Sequence, residues 1–355
     1  MTEKFPHADA RKKKIASRAP SWIAPVLGGV VAAALTWGIG STIFHGALVD
    51  QGLPEQVQSA SDDKRALWVR GGELADLAAR ANKLAELTDG SSAEALANLG
   101  ASLAQGAALL GELQFEEQTP TALPQSYSPE LVQELAQDVA KSSASLPALK
   151  KPSLQSTKLL SQIAFQTNLD ANKAMDSLGE KNPPELAKPL GAVADQDQNQ
   201  PVACLPDPNL LNADAEVKDS KNFESVTVAR ALDRGYALDY ALQLQAARGV
   251  SSQSAAIEKK RTALSKQLAS LRSAVDAKCE DLRQPAYALP KDGLKDLGNV
   301  VSDATEDFDQ ALVLAAGSSD EGTGQRIAAV AFEVLDNEAK ANPEHRILVS
   351  GASVN

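Results

Sequence analysis

Asp239 and Arg261 each interrupt an otherwise apolar helical stripe, and Tyr236 and Tyr240 flank the aspartate on its own helix. A carboxylate, a guanidinium and two phenols around one crevice could orient a polar ligand or move a proton. The alternative is structural: opposite charges meeting between helices relieve the several kcal/mol that an unpaired buried charge costs. If the two helices form an antiparallel hairpin about the Gly249 turn, residues at about equal distances from the turn face each other, so that paired numbers sum to about 500, as 239 and 261 do. The same register places Cys279 opposite Lys221, at the bundle end where the segment carrying Cys204 arrives. In an oxidising compartment this lone pair of cysteines is expected to be bridged, two buried free thiols being the other possibility.

Other residue sets point less clearly to chemistry. Carboxylates gather at Asp303, Glu306, Asp307 and Asp309 and again at Glu333 and Asp336. Hard cations accept all-oxygen ligand sets, but acids flanking an apolar stripe also make an ordinary solvated face. The histidines are His7, His45 and His345, and no Glu-x-x-His pair occurs. That excludes the two-histidine di-iron pattern and a Cys/His zinc site. Ser61 and Lys64 have the Ser-x-x-Lys spacing without its companion motifs. The tract from Gly317 to Gly324 has glycine spacing faintly like a phosphate loop, but Gln325 stands where a lysine is needed, so a flexible inter-helix loop is expected. No catalytic residue, cofactor or metal is expected, and the chain reads as non-enzymatic.

The elements that must position these residues are helices. Hydrophobic residues make up 43% of the 355-residue chain and aromatics only 4%, so the core must come mainly from Leu, Ala and Val. The leucines at 67, 74, 77, 84 and 87, and those at 96, 99, 103, 110 and 113, keep helical spacing on either side of Asp89-Gly90, predicting a hairpin. Ser128 before Pro129 reads as the cap of a third helix reaching Leu146, and a fourth runs from Ser153 to Leu178. A Pro, Asp and Gln-rich stretch follows. Beyond it come a helix from Asn222 to Arg248, one from Ser252 with Cys279 on its stripe, one after Pro290, and a fourth before Pro343.

The N-terminus differs sharply from the rest. Residues 21–49 carry no charge, and Trp22–Phe44 as a helix would reach about 34 Å, enough to span a bilayer. Lys4, Arg11, Lys12, Lys13, Lys14 and Arg18 precede it against Glu3 and Asp9, a balance of +4 that predicts an inside N-terminus. A cleavable signal is the alternative, although its apolar region is usually shorter and His45 occupies a position where cleavage wants a small residue. Gly29 and Ala33 form one small-xxx-small pair that could favour dimerisation. With −11 overall, the part beyond residue 49 carries −15 and would be repelled by nucleic acid.

The expected fold is therefore all-α, with a basic cytoplasmic tail (1–20), a single transmembrane helix (21–49), a first antiparallel helical bundle (50–181), a linker (182–216), a four-helix bundle (217–340) and a C-terminal tail (341–355). In the last bundle, Asp233-Arg234 and Tyr240 on one helix, Lys260-Arg261 and Leu264 on the next, and then Pro285-Ala286-Tyr287-Ala288-Leu289-Pro290 form an ordered set. That set resembles an actinobacterial ferritin-like domain family of unknown function. The resemblance implies a ferritin-like four-helix bundle in an exported or membrane-attached protein. Members often carry Glu-His on the first helix, where Asp233-Arg234 stands here, and a His near the position of Ile257, so no metal is carried over. The expected role is a cell-envelope interaction or assembly factor with a membrane or envelope protein partner and a bilayer contact through residues 21–49. A ligand- or metal-binding module using the crevice of the second bundle is the alternative.

Overall fold

The computed structural model describes residues 60–111, 122–193, 201–211, 223–248, 251–290, 293–319 and 322–347. The basic tail, the span 21–49 and His45 lie outside these residues, as do Lys221, Asn222 and Gly249. Among the described residues no helix is long and apolar enough to cross a membrane. All the described residues after Ala60 belong to one compact unit, Ser61–Asn355.

Among its described residues this unit is all-α, with eight α-helices: α1 (Asp62–Glu86), α2 (Gly90–Leu110), α3 (Pro129–Ser143), α4 (Leu154–Asp176), α5 (Phe223–Arg248), α6 (Ser251–Ser273), α7 (Leu297–Ser318) and α8 (Thr323–Ala341). Local chemistry sets their starts. Ser61 caps α1 by accepting from Lys64 N–H at 3.2 Å, so the Ser-x-x-Lys pair serves the helix start. Ser128 caps α3 with Pro129 at the first helical position, and Ser153 and Ser156 form a reciprocal capping box on α4. Gly90 turns the chain from α1 into α2 at φ +71°, which glycine adopts without strain.

Two boundaries differ from expectation. Helix α3 ends at Ser143, leaving Leu146 beyond it. Helix α6 ends at Ser273, before Cys279, because Val202 pairs with the following backbone: Val202 N–H donates to Ala274 C=O at 2.8 Å and Asp276 N–H donates to Val202 C=O at 3.0 Å.

The packing is organised about α4, which is buried along almost its whole length. One hydrophobic cluster joins Leu159, Leu160, Ile163, Ala171 and Met175 of α4 to the leucines of α1–α3. The other joins Phe165 and Leu169 of α4 to α5–α8 around Phe308, Leu312, Ile327 and Leu335. The described parts of the expected linker serve as wall, with Ala192 and Val202 in the second cluster. The tract from Gly317 to Gly324 joins two helices, α7 running through Ser318 and α8 starting at Thr323, and residues 320–321 within it lie outside the described residues. A Cβ at Gly317 would come within 1.9 Å of Ser161 Oγ, so glycine there permits the close approach of α7 to α4.

Candidate functional site

The α5–α6 pair carries the sequence-predicted ion pair. Arg261 Nε lies 3.1 Å from Asp239 Oδ1, with side-chain exposures of 27% and 31%, so the contact is partly solvated. Gln243 donates to the other Asp239 oxygen at 2.6 Å and Arg261 Nη1 donates to Glu258 at 3.0 Å, completing a small polar network. Together with Tyr236 they line an open groove of about 690 Å³. The Arg283 guanidinium lies 4.7 Å from the centre of the Tyr236 ring, and burial, reinforced by Asp281, raises the Tyr236 phenol pKa.

At the end of this hairpin, Cys204 and Cys279 are joined by a disulfide with Cα atoms 5.1 Å apart. The bridge and the Val202 backbone pairing hold the incoming segment to the chain after α6. Cys204, Cys279 and Tyr236 also border a cavity of about 330 Å³.

Tyr240 looks elsewhere. It lines a separate crevice of about 300 Å³ with Asp233, Arg234, Tyr287, Asp303 and Asp307, so the two phenols expected in one crevice are placed in two. The Pro285–Pro290 segment forms one wall, and the Tyr240 and Tyr287 rings lie 5.9 Å apart at an interplanar angle of 49°. Asp233 is only 5% exposed and its Oδ1 has no hydrogen-bond partner. Burial raises its pKa, with Arg234 opposing. Tyr287 is raised by burial as well, with its hydroxyl accepting from Gln284 N–H at 3.3 Å.

The carboxylates of α7 divide between two faces. Asp303 and Asp307 are exposed at the Tyr240 crevice, whereas Asp309 is buried toward the C-terminal segment. Glu306 accepts from Gln310 at 3.0 Å, Asp336 pairs with Lys340 at 2.6 Å, and Glu333 is exposed. Among the described residues no group of three His, Cys, Asp or Glu side chains is placed to hold a metal ion.

One constellation was missed by sequence reasoning. His345 Nε2 lies 3.1 Å from Asp309 Oδ2, without the alignment of a hydrogen bond. Burial pushes Asp309 up to about 6, and the adjoining Asp309 carboxylate raises His345. Next to it, Arg346 Nη1 reaches both oxygens of the buried Asp170 at 2.9 and 2.8 Å, and Ser102 and Gln166 donate to the same carboxylate. Ile347 N–H donates to Gln166 Oε1 at 2.8 Å and Gln162 donates to Ile347 C=O at 3.3 Å. The C-terminal segment expected as a tail is, over residues 345–347, a strap sewn onto α4 and α7. Its signal in the sequence was the polar series Gln162, Gln166 and Asp170, at four-residue spacing on a helix that is otherwise core.

Comparison with known protein families, with curated proteins and with solved structures finds no match for this chain.

Proposed function

We propose that this chain is a single-pass, membrane-anchored protein of the cell envelope, with an inside N-terminus and an extracytoplasmic helical body that acts in interaction or assembly beside a membrane complex. The observation that carries the reading is the Cys204–Cys279 bridge. Structural disulfides form and persist in oxidising compartments, and a bridge in this position accords with export of the part that follows the uncharged residues 21–49. The −15 charge beyond the anchor favours a soluble body that stands off anionic headgroups. Within this reading, α5–α8 are a ferritin-like four-helix set, supported by the order of Asp233-Arg234, Tyr240, Lys260-Arg261 and the Pro285–Pro290 segment.

Two measurements test the reading. Impermeant labelling of a C-terminal tag on intact cells is expected to succeed; a tag reachable only after permeabilisation refutes the topology. Capture of the full chain in mild detergent is expected to bring down one membrane protein in stoichiometric amount; its absence refutes the assembly role. A second reading, a ligand-binding module, is favoured by the unpartnered Asp233 oxygen at the Tyr240 crevice.

A further inference from the structure

Asp233 is the one acid lining the Tyr240 crevice that is both buried and short of a hydrogen bond. A buried acceptor without a donor carries a desolvation penalty that an incoming donor relieves. The groups around it define that donor. Asp303 and Asp307, one helical turn apart on α7, face the same crevice, so three carboxylates stand against the single guanidinium of Arg234. They do not converge as a metal-ligand group, which argues against one compact inorganic ion as the occupant. Tyr240 and Tyr287 add two tilted rings, whose negative faces attract organic cations. A volume of about 300 Å³ suits a small molecule.

We propose that the crevice between α5, α7 and the Pro285–Pro290 segment binds a small aliphatic polyamine, with one ammonium donating to Asp233 beside the Tyr240–Tyr287 pair and the other meeting Asp303 and Asp307. Several separated positive charges on one flexible chain match carboxylates that are spread rather than convergent. The acidic chain as a whole, at −11, raises the local concentration of such a cation. This inference is independent of the anchor and of any protein partner.

The test is titration calorimetry of the full chain in detergent with spermidine, against sodium chloride of matched ionic strength. Saturable one-to-one binding is expected. Asp233→Asn should weaken it about tenfold or more, the loss of a charge-assisted hydrogen bond. The Asp303→Asn, Asp307→Asn double variant, which touches only exposed positions, should also weaken it, while Glu333→Gln on the exposed face of α8 should not. The proposal is overturned if spermidine gives no heat beyond the salt control. It is equally overturned if all three variants weaken binding alike, because that result reports diffuse attraction to an acidic protein. Should Asp233→Asn fail to fold, the double variant and Glu333→Gln decide between the same outcomes.

Discussion

Replacing Asp309 by Asn keeps the shape of a buried carboxyl while removing its ionisation. In the folded chain Asp309 is 2% exposed and faces His345 on the strap, with Glu306 on its own helix, Glu338 on α8 and Lys173 on α4 acting through the surroundings. Its pKa rises from 3.8 to about 6, so between those values the folded chain holds a proton that the unfolded chain has released. Stability from this group is therefore fully present below pH 3.8 and is lost as pH rises through about 6. A shift of about two units corresponds to about 3 kcal/mol. His345, raised by Asp309, acts in the same sense: its contribution is present below its ordinary value of 6.5 and is lost as pH climbs through its higher folded value.

In Asp309→Asn both contributions disappear, and burial then opposes the histidine charge instead. The wild-type advantage over the variant should thus shrink from pH 4 to pH 8, by about 3 kcal/mol or roughly 6 °C in Tm. Thermal melts of both proteins by circular dichroism across that range, compared as a difference curve, cancel the titration of the other acids. A difference that stays flat, or that grows with pH, would refute the burial of Asp309 beneath the strap.

Four further outcomes follow from the same contacts. Arg346→Ala leaves Asp170 buried with Ser102 and Gln166 but without its guanidinium, and urea denaturation should register a loss of about 3 kcal/mol; an unchanged midpoint would mean that the strap is not docked. Gly235→Ala puts a Cβ 2.4 Å from Leu268 Cδ2 and 2.8 Å from Phe308 Cε2, and should cost about 1–3 kcal/mol by the same measurement. Asp239→Ala, Arg261→Ala and the double variant should reveal a coupling of only about 0.2–1 kcal/mol, since both side chains are about a third exposed; additive losses would remove the pair. Reducing the Cys204–Cys279 bridge releases a closure of 75 residues and should lower stability by up to roughly 4 kcal/mol, with intact mass before and after reduction confirming the bond.

The helices were legible because their stripes are local: leucines three and four apart and Ser128 before Pro129 announce themselves within one window. The Asp239–Arg261 pairing followed from one added assumption, a hairpin, which makes contact a matter of equal distance from a turn. The strap could not be found in that way. Residues 309 and 345 meet because α7, α8 and α4 converge, and no spacing rule relates an acid inside one helix to a histidine beyond the end of another. The end of α6 was misplaced for a similar reason. Val202, distant in sequence, takes the backbone groups after Ser273, and tertiary pairing overrides the stripe that appeared to continue to Cys279.

The division into two helical blocks also takes a different meaning once α4 is seen as common to both cores. Its Leu159, Leu160 and Ile163 complete one cluster while Phe165 and Leu169 complete the other, so neither block can bury its apolar face if α4 leaves. A helix packed on both sides has no solvent face for its polar residues, and Gln162, Gln166 and Asp170 must find partners inside the protein. The strap supplies them: the Arg346 guanidinium to Asp170, the Ile347 N–H to Gln166, and the Ile347 carbonyl to Gln162. The C-terminal segment is therefore docked because α4 is central, and Asp309 is buried in turn because the docked segment covers it.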